Sequence, residues 1–73
     1  MHNTPTRPVI PGWRLIISDA GRFWAFRNHV FPRVAVRAGA ESAVDADTFD
    51  EIQAVVAEQE ETARTALVEE VIS

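Results

Sequence analysis

From Trp13 to Arg37 apolar and polar positions tend to alternate, and from Asp45 onward they recur every three or four residues. The chain therefore divides into an extended half followed by a helical one. Trp13-Arg14-Leu15-Ile16-Ile17-Ser18 and Phe23-Trp24-Ala25-Phe26-Arg27-Asn28 flank Asp19-Ala20-Gly21-Arg22, which predicts a β-hairpin over residues 13 to 28. Two registers compete. A type I turn closed by Gly21 in the left-handed region makes a three-residue loop and sets Ile17 opposite Phe23. Pairs that sum to 41 instead collect Trp13, Leu15, Ile17, Trp24 and Phe26 on one face and Arg14, Ile16, Ser18, Phe23, Ala25 and Arg27 on the other. The second register is preferred because it yields a single apolar face, at the expense of a less ideal turn.

Pro32 excludes helix for Phe31, and Arg33-Val34-Ala35-Val36-Arg37 alternates, so residues 33 to 37 read as a third strand. Small residues and Gly39 mark residues 38 to 43 as a loop, with Val44 as an anchor to the core. Beyond it, Phe49, Ile52, Val55, Val56, Ala63, Leu67 and Val71 form a stripe at helical spacing. Thr48 with Glu51 is a capping-box signature, and Asp45, Asp47 and Asp50 suit the positive end of the helix dipole. The stripe breaks at Glu58-Gln59-Glu60-Glu61-Thr62, and Glu69 and Glu70 oppose the dipole, so the last turns are expected to fray or to need a partner. A helix of about 25 residues is about 38 Å long, and strands of about 17 Å cannot cover it. The fold expected is α+β: a small antiparallel β-meander of two or three strands packed against one long C-terminal α-helix. Pro5, Pro8 and Pro11 lie three apart, the polyproline II repeat, so residues 1 to 12 read as an extended tail, either solvated or docking into an aromatic groove. Residues 13 to 73 are then a single small domain.

Composition narrows the chemistry. At 73 residues the chain has room for one small core. It has no Cys, Tyr or Lys, which removes disulfides, thiolate zinc sites and thiol nucleophiles. Apolar runs as short as Leu15-Ile16-Ile17 and Ala54-Val55-Val56-Ala57 span no bilayer. The first twelve residues hold no signal-like apolar stretch, so the expected location is cytoplasmic. Ser18, Asp19 and His29 are the nearest approach to a triad, without a nucleophile elbow around Ser18. Gly12, Gly21 and Gly39 are isolated, so no phosphate loop is present, and neither His sits at a metal-ligand spacing. No catalytic residue, cofactor or metal is assigned.

Charge adds a different signal. The net charge of −4 conceals two halves: residues 1 to 40 hold six Arg and one Asp (+5), and residues 41 to 73 hold one Arg and ten acids (−9). Trp13, Phe23, Trp24, Phe26 and Phe31 interleave with Arg14, Arg22, Arg27 and Arg33, the composition of a sheet on which bases stack and guanidinium groups meet phosphates. Two readings follow. In one, the aromatics are core and the charges are solvated. In the other, Arg14 and Arg27 oppose each other on a basic-apolar face with Phe23, and like charges across a ladder call for a compensating partner. The partner-binding candidates are Arg14, Arg22, Phe23, Arg27 and Arg33.

The string from Trp13 to Arg27, followed by Val44-Asp45-Ala46-Asp47-Thr48 before a helix, resembles short uncharacterised proteins of high-GC Gram-positive bacteria over residues 13 to 60. The resemblance implies a small cytoplasmic protein, sometimes encoded near mobile or regulatory genes, and supplies no catalytic residue or cofactor. The expectation is a non-enzymatic protein-interaction or regulatory module that self-associates or binds another protein. The alternative is a nucleic-acid-binding accessory protein using the Arg and aromatic sheet face.

Overall fold

The computed structural model describes Val9 to Ile72; Pro5 and Pro8 of the expected tail lie outside the described residues. The order is β1 (Trp13–Ile17), β2 (Phe23–Arg27), α1 (Arg33–Arg37), β3 (Ala43–Ala46) and α2 (Phe49–Ile72). The three strands form one antiparallel sheet in the order β1-β2-β3, and α2 covers one face of it. The α+β architecture expected from the pattern is present, with three corrections in its parts.

The first concerns the hairpin. Trp13 pairs with Arg27, Leu15 with Ala25 and Ile17 with Phe23, so pairs sum to 40 and the turn decides the register. Gly21 takes φ of 81°, and its N–H donates to the Ser18 carbonyl at 2.9 Å. The Arg22 N–H donates to Ser18 Oγ at 3.1 Å. That three-residue loop is self-contained and tolerates no slip. As a result β2 is inverted relative to the face set by hydrophobicity. Trp13, Leu15, Phe23 and Ala25 turn toward α2, while Trp24 and Phe26 join Arg14 and Ile16 on the open face. Ala25 is wholly buried, and its small side chain lets the helix approach the sheet.

The second and third corrections are linked. Residues 33 to 37 are a helix, α1, and not a strand. Pro32 caps it, its carbonyl accepting from the N–H groups of Ala35 and Val36 at 3.0 Å each. It ends in a Schellman motif, with Ala40 N–H donating to the Ala35 carbonyl and Gly39 N–H to the Val36 carbonyl, both at 3.0 Å. Gly39 supplies the required positive φ of 106°. Proline before and glycine after is a helix signature that outweighs the Val34/Val36 alternation, since only Ala35 of this segment is buried. The third strand is instead β3, within the stretch expected to be loop and anchor. Its Val44 and Ala46 point into the core, and Ala25 pairs with Val44.

α2 begins where the capping box places it. The Glu51 N–H donates to Thr48 Oγ1 at 3.1 Å, and Glu51 Oε1 accepts from the Asp47 N–H at 3.2 Å, one residue before the cap. The helix is continuous through Glu58–Thr62, because Gln59 is buried with both amide ends engaged. Its Oε1 accepts from the Glu41 N–H at 3.0 Å, and its Nε2 donates to the Val55 carbonyl at 3.2 Å. Ile52, Val56, Ala63 and Ala66 are buried, while Leu67 and Val68 are exposed. The core also includes Ile10, held by a turn in which the Trp13 N–H donates to its carbonyl at 3.0 Å.

Candidate functional site

α2 lies over β3 and β2 and its backbone makes no close approach to β1. On the helix side, Ile17 at the end of β1 is 52% exposed; on the open side, Ile16 is 42% and Trp24 37% exposed. An antiparallel sheet with one solvated face normally carries polar residues there. Here the open face holds Ile16, Trp24, Phe26 and Ala43, bounded by Arg14 on one edge and Asp45 on the other. The Trp24 and Phe26 rings stack with centroids 6.4 Å apart and planes 9° from parallel. The Arg14 guanidinium sits 5.7 Å from the Phe26 ring centre.

The sequence-expected residues do not form one patch. Arg14 is exposed on the open face. Arg22, on the same face, is bound to Asp45 through Nε at 2.6 Å and to Asp47 through Nη1. The hydrogen bond to Asp45 is the main reason its guanidinium is held above its ordinary pKa. Phe23 lies under α2, half-buried, its ring 6.2 Å from that of Phe49. Arg27 is on the helix side, opposite Trp13, so it does not oppose Arg14, which faces Phe26. Arg33 is exposed at the start of α1. The expected like-charge repulsion is absent, a direct consequence of the register.

Arg27 belongs to a cluster that sequence reasoning missed. Its Nε donates to Glu60 Oε2 at 2.8 Å, its Nη2 to Oε1 at 3.3 Å, and its Nη1 to the His29 carbonyl at 2.9 Å. Trp13 Nε1 donates to the same Glu60 Oε2 at 2.8 Å. Phe31 lies under the Arg27 guanidinium at 4.1 Å and meets Trp13 edge-on at 6.1 Å. The hydrogen bond from Arg27 is the first cause that holds the Glu60 carboxyl below its ordinary pKa, with that from Trp13 adding to it against desolvation. The available signal was Glu60 lying four residues after Val56 and three before Ala63, an acid inside an apolar stripe. Beside this cluster runs an open apolar groove of about 630 Å³ between α2 and the loop after β2, lined by Val30, Phe31, Pro32, Ala63, Leu67 and Val68.

Among the described residues, no buried side-chain nitrogen or oxygen lacks a partner, so none is left aimed at a ligand. Ser18 closes the hairpin turn, and His29 is exposed beyond the other end of the same hairpin, roughly 17 Å along the strand direction. They share no site. Among the described residues, no group of three or more His, Cys, Asp or Glu could hold a metal ion, and no helix is long and apolar enough to cross a membrane. No protein family matches the chain, and neither a curated protein nor a solved structure matches it.

Proposed function

We propose that the chain is a cytoplasmic, non-enzymatic interaction or regulatory module that works by self-association. The observation that carries this reading is apolar surface exposed on both sides of β1: Ile17 on the helix side, where α2 does not reach β1, and Ile16 and Trp24 on the open sheet face. In a domain of 73 residues, apolar surface of this kind is a contact surface in search of an occupant. A second reading, nucleic-acid binding, draws on the stacked Trp24 and Phe26 beneath Arg14. Electrostatics disfavours it. Arg22 and Arg27, two of the four expected phosphate contacts, are neutralised by Asp45, Asp47 and Glu60 within the fold, and the net charge is −4.

Light scattering on a size-exclusion column, at low and high salt and with a generic duplex DNA, separates the two. Self-association raises the mass from 8.1 kDa toward twice that value, persists in high salt and ignores DNA. A chain that stays monomeric and comigrates with DNA at low salt alone reverses the ranking.

A further inference from the structure

The hydrogen-bond inventory of β1 locates the contact. At the two ends of the hairpin ladder, the Ser18 N–H donates to the Arg22 carbonyl and the Asn28 N–H to the Gly12 carbonyl, each at 2.9 Å. With paired residues summing to 40, the even-numbered positions of β1 turn their backbone groups toward β2, because such pairs alternate along an antiparallel ladder. Trp13, Leu15 and Ile17 therefore turn theirs away from the sheet. β1 is an edge strand, and the Trp13 N–H is already used by the Ile10 carbonyl at 3.0 Å. Beyond the Ile10–Trp13 bridge at its start, no strand among the described residues pairs with the outward N–H and C=O groups of Leu15 and Ile17, on a strand reading Trp-Arg-Leu-Ile-Ile with no Pro and no Lys to blunt it.

We infer that β1 is the self-association edge: two copies of the chain pair β1 with β1, antiparallel, and merge two three-stranded sheets into one of six strands. The inference rests on the self-association proposed above and specifies where it occurs. Symmetry and chemistry select the register. A two-fold axis normal to the sheet keeps helix-side residues opposite helix-side residues, so Leu15 can face Trp13, Leu15 or Ile17 of the second copy. Facing Trp13 sets Arg14 against Arg14, a like-charge pair. It also calls on the Trp13 N–H that Ile10 holds, as does facing Leu15, which sets Trp13 against Ile17. Pairing Leu15 with Ile17 avoids both. It makes four hydrogen bonds from those outward groups and puts Ile16 against Ile16 on the axis. It also brings Arg14 opposite Ser18 and beside the turn carrying Asp19, joining an exposed cation to an exposed acid. The position of α2 over β2 and β3 keeps the two helices apart across the junction.

The decisive measurement is amide exchange on the full chain over a wide concentration series. The Leu15 and Ile17 amides are expected to slow in step with the dimer fraction, while the Ile16 amide is protected throughout. Ile16→Arg, a surface change that sets two cations on the axis, is expected to hold the mass at that of one chain. Leu15→Pro removes an outward N–H without touching the ladder to β2 and is expected to do the same. Trp24→Ser, one strand inward, keeps the dimer. Should Leu15→Pro fail to fold by circular dichroism, Ile16→Arg and the wild-type exchange data decide. A wild-type dimer whose Leu15 and Ile17 amides stay unprotected, or a dimeric Ile16→Arg, overturns the edge and leaves self-association standing. A wild type monomeric at every concentration overturns both.

Discussion

Glu60 shows how one side chain ties the halves of the chain together. It lies on the stripe that α2 turns to the sheet and accepts hydrogen bonds from Trp13 and Arg27, which sit opposite each other at the start of β1 and the end of β2. Because its pKa is lowered in the folded state, its contribution to stability is present above the unfolded value of about 4.3 and is lost as pH falls through the lower folded value. Its side chain is 35% exposed, so solvent screens part of the interaction. Glu60→Gln retains an acceptor and removes the charge, and is expected to lower unfolding free energy by about 1 kcal/mol at neutral pH. Urea titrations at neutral pH and at about pH 3 check this. The gap between wild type and variant should close in acid, and an equal gap at both would mean that the charge contributes nothing. Glu61 is likewise lowered, by its hydrogen bond from Arg64. That pair is exposed on a single helix face and bridges no elements.

At the scale of elements, a turn overrules a hydrophobic pattern. Gly21 at φ of 81° closes the loop that pairs Ile17 with Phe23, and an L side chain there is strained even though the space around it is open. Gly21→Ala is expected to cost about 1 kcal/mol or somewhat more, and Gly21→Asn less, since Asn tolerates the left-handed region. Thermal unfolding of the two variants measures it, and an Ala variant as stable as wild type would remove the turn as the determinant of register. The same competition explains what was legible in the sequence. The hairpin, its Asp19-Ala20-Gly21 loop and the start of α2 at Thr48 rest on local chemistry, and local sequence carries them. The facing of β2 follows from that loop, which sets small Ala25 beneath the helix and turns Trp24 and Phe26 outward; alternation points the other way because it weighs the bulk of the aromatics and not the turn. Residues 33 to 37 offered both signals, alternating Val and the Pro32/Gly39 bracket, and the bracket prevails because it completes real hydrogen bonds. β3 is four residues long and too short to stand out. Of the candidate site, Arg14 was legible as an exposed cation on a sheet face. The Arg14–Arg27 opposition followed from the wrong register and fell with it, and Glu60 was hidden in a run of acids read as solvated.

For the whole molecule, folding closes part of the opposed charge of the two halves and leaves Arg14, Arg33 and Arg37 exposed. Arg22 closes on Asp45 and Asp47, and Arg27 on Glu60, so the basic half is folded against the acidic one. Among the described residues, folding leaves the outer edge of β1 without a strand partner and Ile16 and Ile17 about half exposed. A chain of 73 residues has little stability in reserve, and association that favours the folded state adds to it by mass action. The midpoint of thermal unfolding should therefore rise with protein concentration, each tenfold adding about 1.4 kcal/mol of apparent stability per mole of dimer where the dimer dominates. Ile16→Arg should unfold at one midpoint at all concentrations, and at low concentration the two proteins should converge, since Ile16 lies on the open face, exposed and outside the core cluster. A wild-type midpoint that does not move would mean that the folded chain gains nothing from its own kind, and that β1 is not a self-association edge.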